Sequence, residues 1–496
     1  MGFALAPLVL YLALVPPVSG DKDGSEFTLA LATSGIPHPT GYPIYTLAGH
    51  GFARLIHAFG ATWPYAANAW SAVGAAVALF FFHATAVRLL PGGPVPRALV
   101  AGACTLLLAL HPVFTMEATL AEVYSWHLAW LMGLILLFVS WMTRLNHEPR
   151  PSSGWSRRAA LWGVACGLGL AHHFTSVLFA LPVSLALALA LARTGHWRAR
   201  LVLVAVAGAA LPLAAYGYLV FRAFHPAAWQ WPLLDGSFAG ILRHVTGVDY
   251  QRYLGRFAPN VVQARWLALY VYPLLVVGLS TLAIGAARAR DAGGRWIRVT
   301  LLAGASLQLV HAFNYGVTDP ASYFLPPLAI SLLGVLGLAS WLAAQGRTAV
   351  ALGAVVAVTL VAGVSWIPLA VERRALLGAF EGNIRTMWRA IPVDDAFVFW
   401  ADDLSMRLHE YQLLAGERPH LDVENPHAFT YPEPRRRFAQ RHGFDPLAGL
   451  DPITREKLAR IPENVSRQTS RPVVVFDHLS GSVRVVPKAE SHELSR

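Results

Sequence analysis

Long apolar stretches separated by short polar connections run through the chain to about residue 370. A transmembrane helix needs about 20 predominantly apolar residues. Runs close to this length fall at 3–19, 66–89, 98–113, 124–143, 159–173, 175–192, 201–222, 266–287, 299–313, 323–344 and 348–369. The pattern predicts an all-α polytopic membrane protein with about 11 transmembrane helices.

The overall composition supports this interpretation. Of the 496 residues, 55% are hydrophobic and only 14% are charged, with a mean hydropathy of +0.47. The net charge of +11 comes from arginines spread between apolar segments, so it favours a role in membrane topology and excludes nucleic acid as a partner. Cys104 and Cys166 both lie inside apolar runs, so neither a disulfide framework nor a cysteine metal site is expected.

The positions of the arginines predict the orientation, because cytoplasmic loops collect Lys and Arg. With the N-terminus in the cytoplasm, the inner loops hold the arginines, and the outer loops near 112–123, 172–176 and 314–322 hold none. Residues 1–7 lack a basic residue, so we expect an uncleaved first helix rather than a signal peptide. The segment that follows this helix then lies outside the cytoplasm.

Beyond residue 370 charged residues and prolines become frequent. The segments "AFVFWADD" (396–403) and "PVVVFDH" (472–478) are typical of strands, and the helix-like "LSMRLHEYQLLAG" lies between them. These features predict a small extracytoplasmic α/β domain. The expected units are a membrane domain, a first outer loop, an outer amphipathic segment and this C-terminal domain, at 1–370, 20–65, 223–265 and 371–496.

Polar side chains gather at the predicted outer ends of the spans, where ionisable groups are functional suspects. They are Asp21, Asp23, Glu26, His38, Glu117, Glu122, Tyr124, His172, His173, Asn314, Tyr315, Asp319 and Tyr323. Taken singly, each has an ordinary structural explanation, such as a helix cap or a turn. Their joint clustering favours a site in which a carboxylate accepts the proton of a hydroxyl that attacks a sugar carbon. Holders for the departing phosphate are available in His172, His173, Arg222, Arg243, Arg252 and Arg256.

Two adjacent motifs carry a resemblance to a known family. "DGSEF" followed by "GIPHPTGYPIY" resembles the D-x-G-E-F and H-P-P-G-Y-P-L signature of the DUF2723 family, bacterial relatives of a metazoan transmembrane O-mannosyltransferase. "LAEVYSW", "GLAHHFTSVLFALP", "FAGILRHVTGVDY" and "NYGVTDPASYFLPP" are similar to its later blocks, in the same order. Ser25 departs from the pattern, which has Glu directly after Gly, but the spacing between Asp23 and Glu26 is kept.

The resemblance implies a GT-C glycosyltransferase, which transfers a sugar from a polyprenyl-phosphate donor on the non-cytoplasmic face. It implies that the acid of the first outer loop is catalytic, here Asp23 with Glu26 beside it. The residues expected to bind substrate are His38, Tyr42, Glu117, Glu122, Tyr124, His172, His173, Arg243, Tyr250, Asn314, Tyr315 and Asp319.

We therefore expect a multi-pass enzyme of a bacterial inner membrane, with a protein or glycan hydroxyl as acceptor. No cofactor is expected, and a divalent metal is left open. Two alternatives remain: a transporter or flippase of a lipid-linked or small polar solute, and a non-catalytic membrane scaffold. Acids in the middle of spans would favour the transporter, and there are essentially none.

Overall fold

The computed structural model of the protein describes residues 2–21, 23–90, 93–145, 154–289, 291–317, 319–401, 403–450 and 454–488. The first helices are α1 (Gly2–Leu14), α2 (Gly24–Thr33), α3 (Pro43–Ala58), α4 (Trp63–Leu89), α5 (Pro94–Leu110), α6 (Pro112–Thr119), α7 (Tyr124–Leu145), α8 (Gly154–His172) and α9 (Val177–Arg193). They continue with α10 (Ala199–Leu213), α11 (Tyr216–Phe224), α12 (Phe238–Thr246), α13 (Val261–Tyr270), α14 (Tyr272–Ala287), α15 (Ala292–Ala312), α16 (Leu325–Ala344) and α17 (Thr348–Arg389).

The described residues contain 6 helices long and apolar enough to cross a membrane, or up to 8 if each of two bent helix pairs is one span. A multi-pass helical membrane protein is thus confirmed, but the predicted count of eleven spans is not. Two of the predicted spans are bent pairs, α5 with α6 and α13 with α14. Two more correspond to α8 and α15, which carry arginines within the helix. The first predicted span is only the 13 residues of α1.

The two bends lie against each other. The α5–α6 pair turns by 67° before Pro112, and the α13–α14 pair turns by 42°. His111, at the first bend, donates its Nε2 hydrogen to the carbonyl oxygen of Tyr270, at the second, over 2.8 Å. A break leaves backbone groups without helical partners, and this side chain satisfies one of them. This hydrogen bond therefore holds the two bends together.

The C-terminal segment contains a four-stranded sheet in the order β2-β1-β3-β4. Its strands are β1 (Ala396–Phe399), β2 (Leu421–Glu424), β3 (Val473–Asp477) and β4 (Ser482–Val485). β1 pairs in parallel with β2 and β3, and β4 pairs antiparallel with β3. The helices of this segment are α18 (Met406–Ala415), α19 (Pro432–His442), α20 (Arg455–Ala459) and α21 (Ile461–Gln468). The predicted small sheet is confirmed, although residues 489–496 of the predicted domain lie outside the described part.

The membrane part and the C-terminal part are joined by one continuous helix. α17 runs for 42 residues, so the predicted boundary at 370 falls inside it. Arg407 of α18 is fully buried and donates to the backbone carbonyls of Ser19 and Gly20, and to Glu381 of α17 at 2.7 Å. The C-terminal domain is thereby fastened to the chain just before Asp23.

Candidate active site

The first outer loop folds back on itself between α2 and α3. α2 begins directly after Asp23, which places Glu26 in its first turn. The loop then needs a backbone that side chains disfavour: Gly41 has φ +80°, and a Cβ there would lie 2.7 Å from Leu219. Proline at 37, 39 and 43 restricts the rest of the path. The turn brings His38 and Tyr42 back over Glu26.

Glu26, His38 and Tyr42 form a hydrogen-bonded row. Glu26 Oε1 accepts from His38 Nδ1 at 2.9 Å and also from the backbone N–H of His38. On the other side of the ring, the Tyr42 hydroxyl donates to His38 Nε2 at 3.0 Å. All three side chains are buried. The imidazole is therefore held in one orientation, with its Nδ1 proton fixed by the carboxylate.

Burial sets the protonation of this row. It raises the pKa of Glu26 above the ordinary value, and the charge and hydrogen bond of His38 lower that pKa to a smaller extent. Burial also raises the pKa of Tyr42 well above its ordinary value, so its hydroxyl stays a donor. The nearby charge of Asp23 acts in the same direction on both groups.

Asp23 lies at the exposed end of this row. One ligand atom from each of Asp23, Glu26 and His38 falls within 4.8 Å of the others, a set that could hold a divalent cation. His38 Nδ1 already donates to Glu26, so a cation at that nitrogen would have to displace the bond. The arrangement as it stands suits proton transfer, with a solvent-accessible carboxylate beside a buried one.

A cavity of about 300 Å³ opens beside the row. Its lining includes His38, Pro39, Thr40, Tyr42, His173, Phe174, Thr175, Thr246, Gly247, Tyr250, Gln251, Leu254, His311, Tyr315 and Tyr323. Five of the predicted substrate-binding residues are among these: His38, Tyr42, His173, Tyr250 and Tyr315. The wall is rich in aromatic rings and hydroxyls, as is usual for a site that binds a polar group on an apolar body.

His172, the last residue of α8, and His173, which follows it, have different roles. His172 donates its Nε2 hydrogen to the carbonyl of Val123 at 3.0 Å, which fixes the connection before α7. His173 faces the cavity, and its Nδ1 lies 2.6 Å from the Thr175 hydroxyl and accepts from the Thr175 backbone N–H at 3.3 Å. Because Nδ1 is the acceptor, the Nε2 of His173 carries the proton. Of the two, only His173 can donate into the cavity.

Glu117, Glu122 and Asp319, three further predicted acids, do not line the cavity. Glu117 is buried and accepts from the Ser322 hydroxyl at 2.6 Å, and Asp319 Oδ2 lies 3.0 Å from the same hydroxyl. Glu122 is also buried, and its backbone bonds the hydroxyl of Ser71. These acids join α6 and the start of α7 to neighbouring elements. Tyr124 packs between the rings of His173 and Tyr323, at 6.0 and 5.5 Å.

Arg243 and Asn314 also lie outside the cavity lining. Arg243 pairs with Asp249 at 3.2 Å and is more than half exposed. Asn314 lies just after α15, is exposed, and donates to the carbonyl of Val310 in that helix. Arg252 follows the cavity-lining Gln251 and donates to the hydroxyls of Tyr253 and Tyr431. Among the described residues, no arginine or lysine lines the cavity.

Two histidines at the cavity were not singled out from the sequence. His311 lines it directly. His127 is buried behind it, its ring 5.0 Å from that of His173, and neither of its ring nitrogens has a hydrogen-bond partner among the described residues. His127 follows Tyr124 by three residues, a spacing that puts both on one helical face. That spacing was the available signal.

The N-terminal part of the chain is similar in sequence to known protein O-mannosyl-transferases. The sequence model of the family described as "Protein O-mannosyl-transferase TMEM260 N-terminal domain" matches residues 23–196. The protein O-mannosyl-transferase tmem260 of Dictyostelium discoideum is 25% identical over 189 residues, which cover 36% of this chain and 22% of that protein. These matches support the O-mannosyltransferase-like part of the resemblance. The finer assignment to DUF2723 stays a prediction.

The fold of the chain is similar to those of two solved membrane proteins. ArnT from Cupriavidus metallidurans, bound to undecaprenyl phosphate, matches 95% of this chain and 92% of its own, with a TM-score of 0.58 and 11% identity. The archaeal oligosaccharyltransferase AglB from Archaeoglobus fulgidus, in complex with an inhibitory peptide and a dolichol-phosphate, matches 99% of this chain and 74% of its own, with a TM-score of 0.50 and 10% identity. The chain thus has a GT-C-like fold, and its first third is similar to O-mannosyl-transferases.

Proposed function

We propose that the protein is a membrane glycosyltransferase that moves a sugar from a polyprenyl-phosphate donor to the hydroxyl of a protein or glycan acceptor. The observation that carries the proposal is the Glu26–His38–Tyr42 row with Asp23 at its exposed end, beside an aromatic cavity. The GT-C-like fold and the similarity to O-mannosyl-transferases support it. So does the lipid phosphate bound by the structural relative ArnT.

Asp23 is the proposed base. As the acceptor oxygen attacks the anomeric carbon of the sugar, Asp23 takes its proton, and the bond between that carbon and the phosphate oxygen breaks. The electron pair leaves with the polyprenyl phosphate. Asp23 suits this step because it is exposed and one of its oxygens lies within 4.8 Å of ligand atoms of the buried Glu26 and His38, and His38 lines the cavity.

Glu26 acts through His38. Its carboxylate holds the imidazole, and the imidazole accepts from Tyr42, so the cavity wall is rigid where the sugar would meet Asp23. Such preorganisation places reacting groups without reorganisation at the moment of reaction. Glu26 is therefore a positioning residue, and Asp23 is the residue proposed to touch the acceptor.

The departing phosphate is proposed to be held by neutral donors. No guanidinium lines the cavity in the described part of the chain, whereas His173 Nε2–H and the hydroxyls of Tyr250 and Tyr315 are within its wall. Burial raises the pKa of Tyr250 well above its ordinary value, so this hydroxyl remains protonated. Of the two adjacent histidines, His173 is therefore the one proposed to hold the phosphate, because His172 donates to the carbonyl of Val123.

The proposed location is the outer face of a bacterial inner membrane, on the strength of the arginine asymmetry between the loops. In that orientation residues 20–65 and the C-terminal domain face the periplasm. A polyprenyl-phosphate sugar is the expected donor there, because no glycine-rich nucleotide-binding loop follows a strand in the sequence.

The test is a choice of donor. The purified full-length protein is incubated with a pool of hydroxyl-bearing peptides and either radiolabelled mannosyl polyprenyl phosphate or the corresponding nucleotide sugar. We expect labelled peptide from the lipid donor alone. Transfer from the nucleotide sugar with no lipid carrier present would refute the proposal.

A further inference from the structure

A second opening, separate from the cavity, runs between α1, α6, α13 and α17. It has a volume of about 320 Å³. We call it the α17 groove and define it by Met116, Leu120, Trp266, Trp366, Arg373 and Arg374. None of these residues lines the cavity beside Asp23. The α17 groove includes residues of α6, whereas the cavity lining includes none of them, so the two openings have different walls.

Most of the α17 groove is apolar and aromatic. Trp266 and Trp366 contribute indole rings, and Trp366 also packs against His111 at the bend between α5 and α6, with ring centres 5.3 Å apart. Leu369, at the edge, is 38% exposed. An open apolar slot of this kind fits a hydrocarbon chain, and indole rings are favoured near membrane interfaces.

One end of the groove is strongly cationic. α17 carries no charged residue from Thr348 to Val371 and then reads Glu372-Arg373-Arg374. This change marks the level at which an apolar helix leaves the hydrocarbon region. Both Arg373 and Arg374 line the groove at that level, where lipid headgroups lie.

Arg373 has spare donor capacity. Its Nη2 bonds Asp21 at 3.2 Å, but its Nη1 is buried and has no hydrogen-bond partner among the described residues. A buried guanidinium nitrogen without an acceptor is costly. An anion in the groove could satisfy Nη1 while Nη2 keeps Asp21, and Arg374 adds a second positive charge that Asp21 does not balance.

We propose that the α17 groove binds a lipid whose headgroup carries a phosphate. The hydrocarbon lies along the two tryptophans, and Arg373 and Arg374 hold the phosphate oxygens. Guanidinium groups match phosphate through paired hydrogen bonds, and a phosphate attached to a long chain satisfies both ends of the groove at once. A polyprenyl phosphate and an anionic phospholipid share this chemistry. The site is independent of sugar transfer, so the proposed function can fail without affecting it.

The test uses the tryptophans as reporters. The delipidated full-length protein in detergent is titrated with undecaprenyl phosphate, phosphatidylglycerol or uncharged undecaprenol, each carrying a bromine that quenches nearby indole fluorescence. Arg374→Gln is the main variant because Arg374 is exposed. Arg389→Gln is the matched control, since Arg389 is exposed on the same helix and does not line the groove. The double variant Arg373→Gln/Arg374→Gln is measured beside them.

We expect Arg374→Gln to weaken the phosphate lipids by about tenfold, the double variant to weaken them further, and Arg389→Gln to leave them unchanged. Tighter binding of undecaprenyl phosphate than of phosphatidylglycerol would identify a carrier site, and equal binding a phospholipid site; both support the proposal. It is overturned if undecaprenol binds as tightly as undecaprenyl phosphate, or if Arg374→Gln and the folded double variant both match the control.

Discussion

The two ends of the first outer loop are held by different chemistry. Residues 19–21, the near end of the loop, are hydrogen-bonded by guanidinium groups from distant parts of the chain. Arg407 of the C-terminal domain donates to the backbone carbonyls of Ser19 and Gly20, and Arg373 of α17 donates to the carboxylate of Asp21. This end of the loop is fixed by charge, and the residues that fix it are more than 350 positions away in sequence.

The far end of the loop, from Glu26 to Tyr42, is held by neutral or titratable groups of the loop itself. His38 bridges Glu26 and Tyr42, and no lysine or arginine lines the cavity beside them in the described residues. Asp23 lies between the two ends. Permanent cations thus hold the chain two to four residues before the proposed base, whereas His38 holds the chain that follows it.

Removing the charge of Asp23 tests this division most severely. Asp23→Asn keeps the size of the side chain but cannot accept a proton, so we expect turnover to fall roughly a hundred- to ten-thousand-fold. Asp21→Asn is the matched control, since Asp21 is half exposed and faces Arg373. It should change turnover by no more than about fivefold. If turnover falls equally in the two folded variants, Asp23 has no role that Asp21 lacks, and the proposed difference between the ends of the loop is wrong.

Arg407→Met tests the near end of the loop. It leaves two backbone carbonyls and Glu381 without their buried cation, and breaking such a pair costs about 3–5 kcal/mol. We expect a lower Tm and a loss of transfer activity. Arg385→Met is the control, because Arg385 also bonds Glu381 but is 30% exposed and does not touch the loop. If thermal unfolding of the two variants is the same, the near end is not anchored by Arg407.

Glu26→Gln tests the far end. The amide keeps the shape but loses the charge that fixes His38, and a hydrogen bond to a charged group contributes about 1.5–3 kcal/mol. If that contribution is expressed in the transition state, kcat falls roughly ten- to a hundredfold, with a smaller change in KM. His38→Gln should show a similar loss, and the double variant should add little to either single one. If the losses of kcat in the two single variants add up in the double variant, Glu26 does not act through His38.

The last prediction concerns the change of stability with pH, which leaves turnover out of account. Burial raises the pKa of Glu410, near Ser19 and Ser25, from 4.5 to about 7; the Arg407 charge lowers it to a smaller extent, and the Glu381 charge raises it slightly. Because the unfolded chain then loses its proton first, stability falls as pH rises from about 4.5 to about 7. Glu410→Gln should flatten this part of the Tm profile. The exposed control Glu456→Gln should not, and an unchanged profile in Glu410→Gln would contradict the assignment.

Much of the candidate site in the first outer loop could be predicted from the sequence. The acids and the turn-forming prolines of residues 21–43 are contiguous, so a short motif was enough to bring Asp23, Glu26, His38 and Tyr42 together. The strands near 396 and 473 were equally local, because short β-branched and aromatic runs bounded by polar residues are strong signals.

The rest depends on contacts that no local pattern encodes. Apolar runs do not reveal that helices bend at Pro112 or after Tyr270, so broken and short helices were counted as spans. The link from Glu117 to Ser322 and the grip of Arg407 on the loop join residues 205 and 388 positions apart. The arginines predicted to hold the phosphate, Arg222, Arg243, Arg252 and Arg256, do not line the cavity. The arginines that contact the first outer loop lie instead on α17 and α18.

The most direct test of the central claim follows both halves of the donor in one reaction. The protein is given a polyprenyl-phosphate sugar labelled differently in the sugar and in the phosphate, together with a hydroxyl acceptor. The account predicts equal amounts of glycosylated acceptor and free polyprenyl phosphate, both lost in Asp23→Asn. Donor that stays intact while it crosses a vesicle membrane, or polyprenyl phosphate released without any glycosylated acceptor, would contradict it.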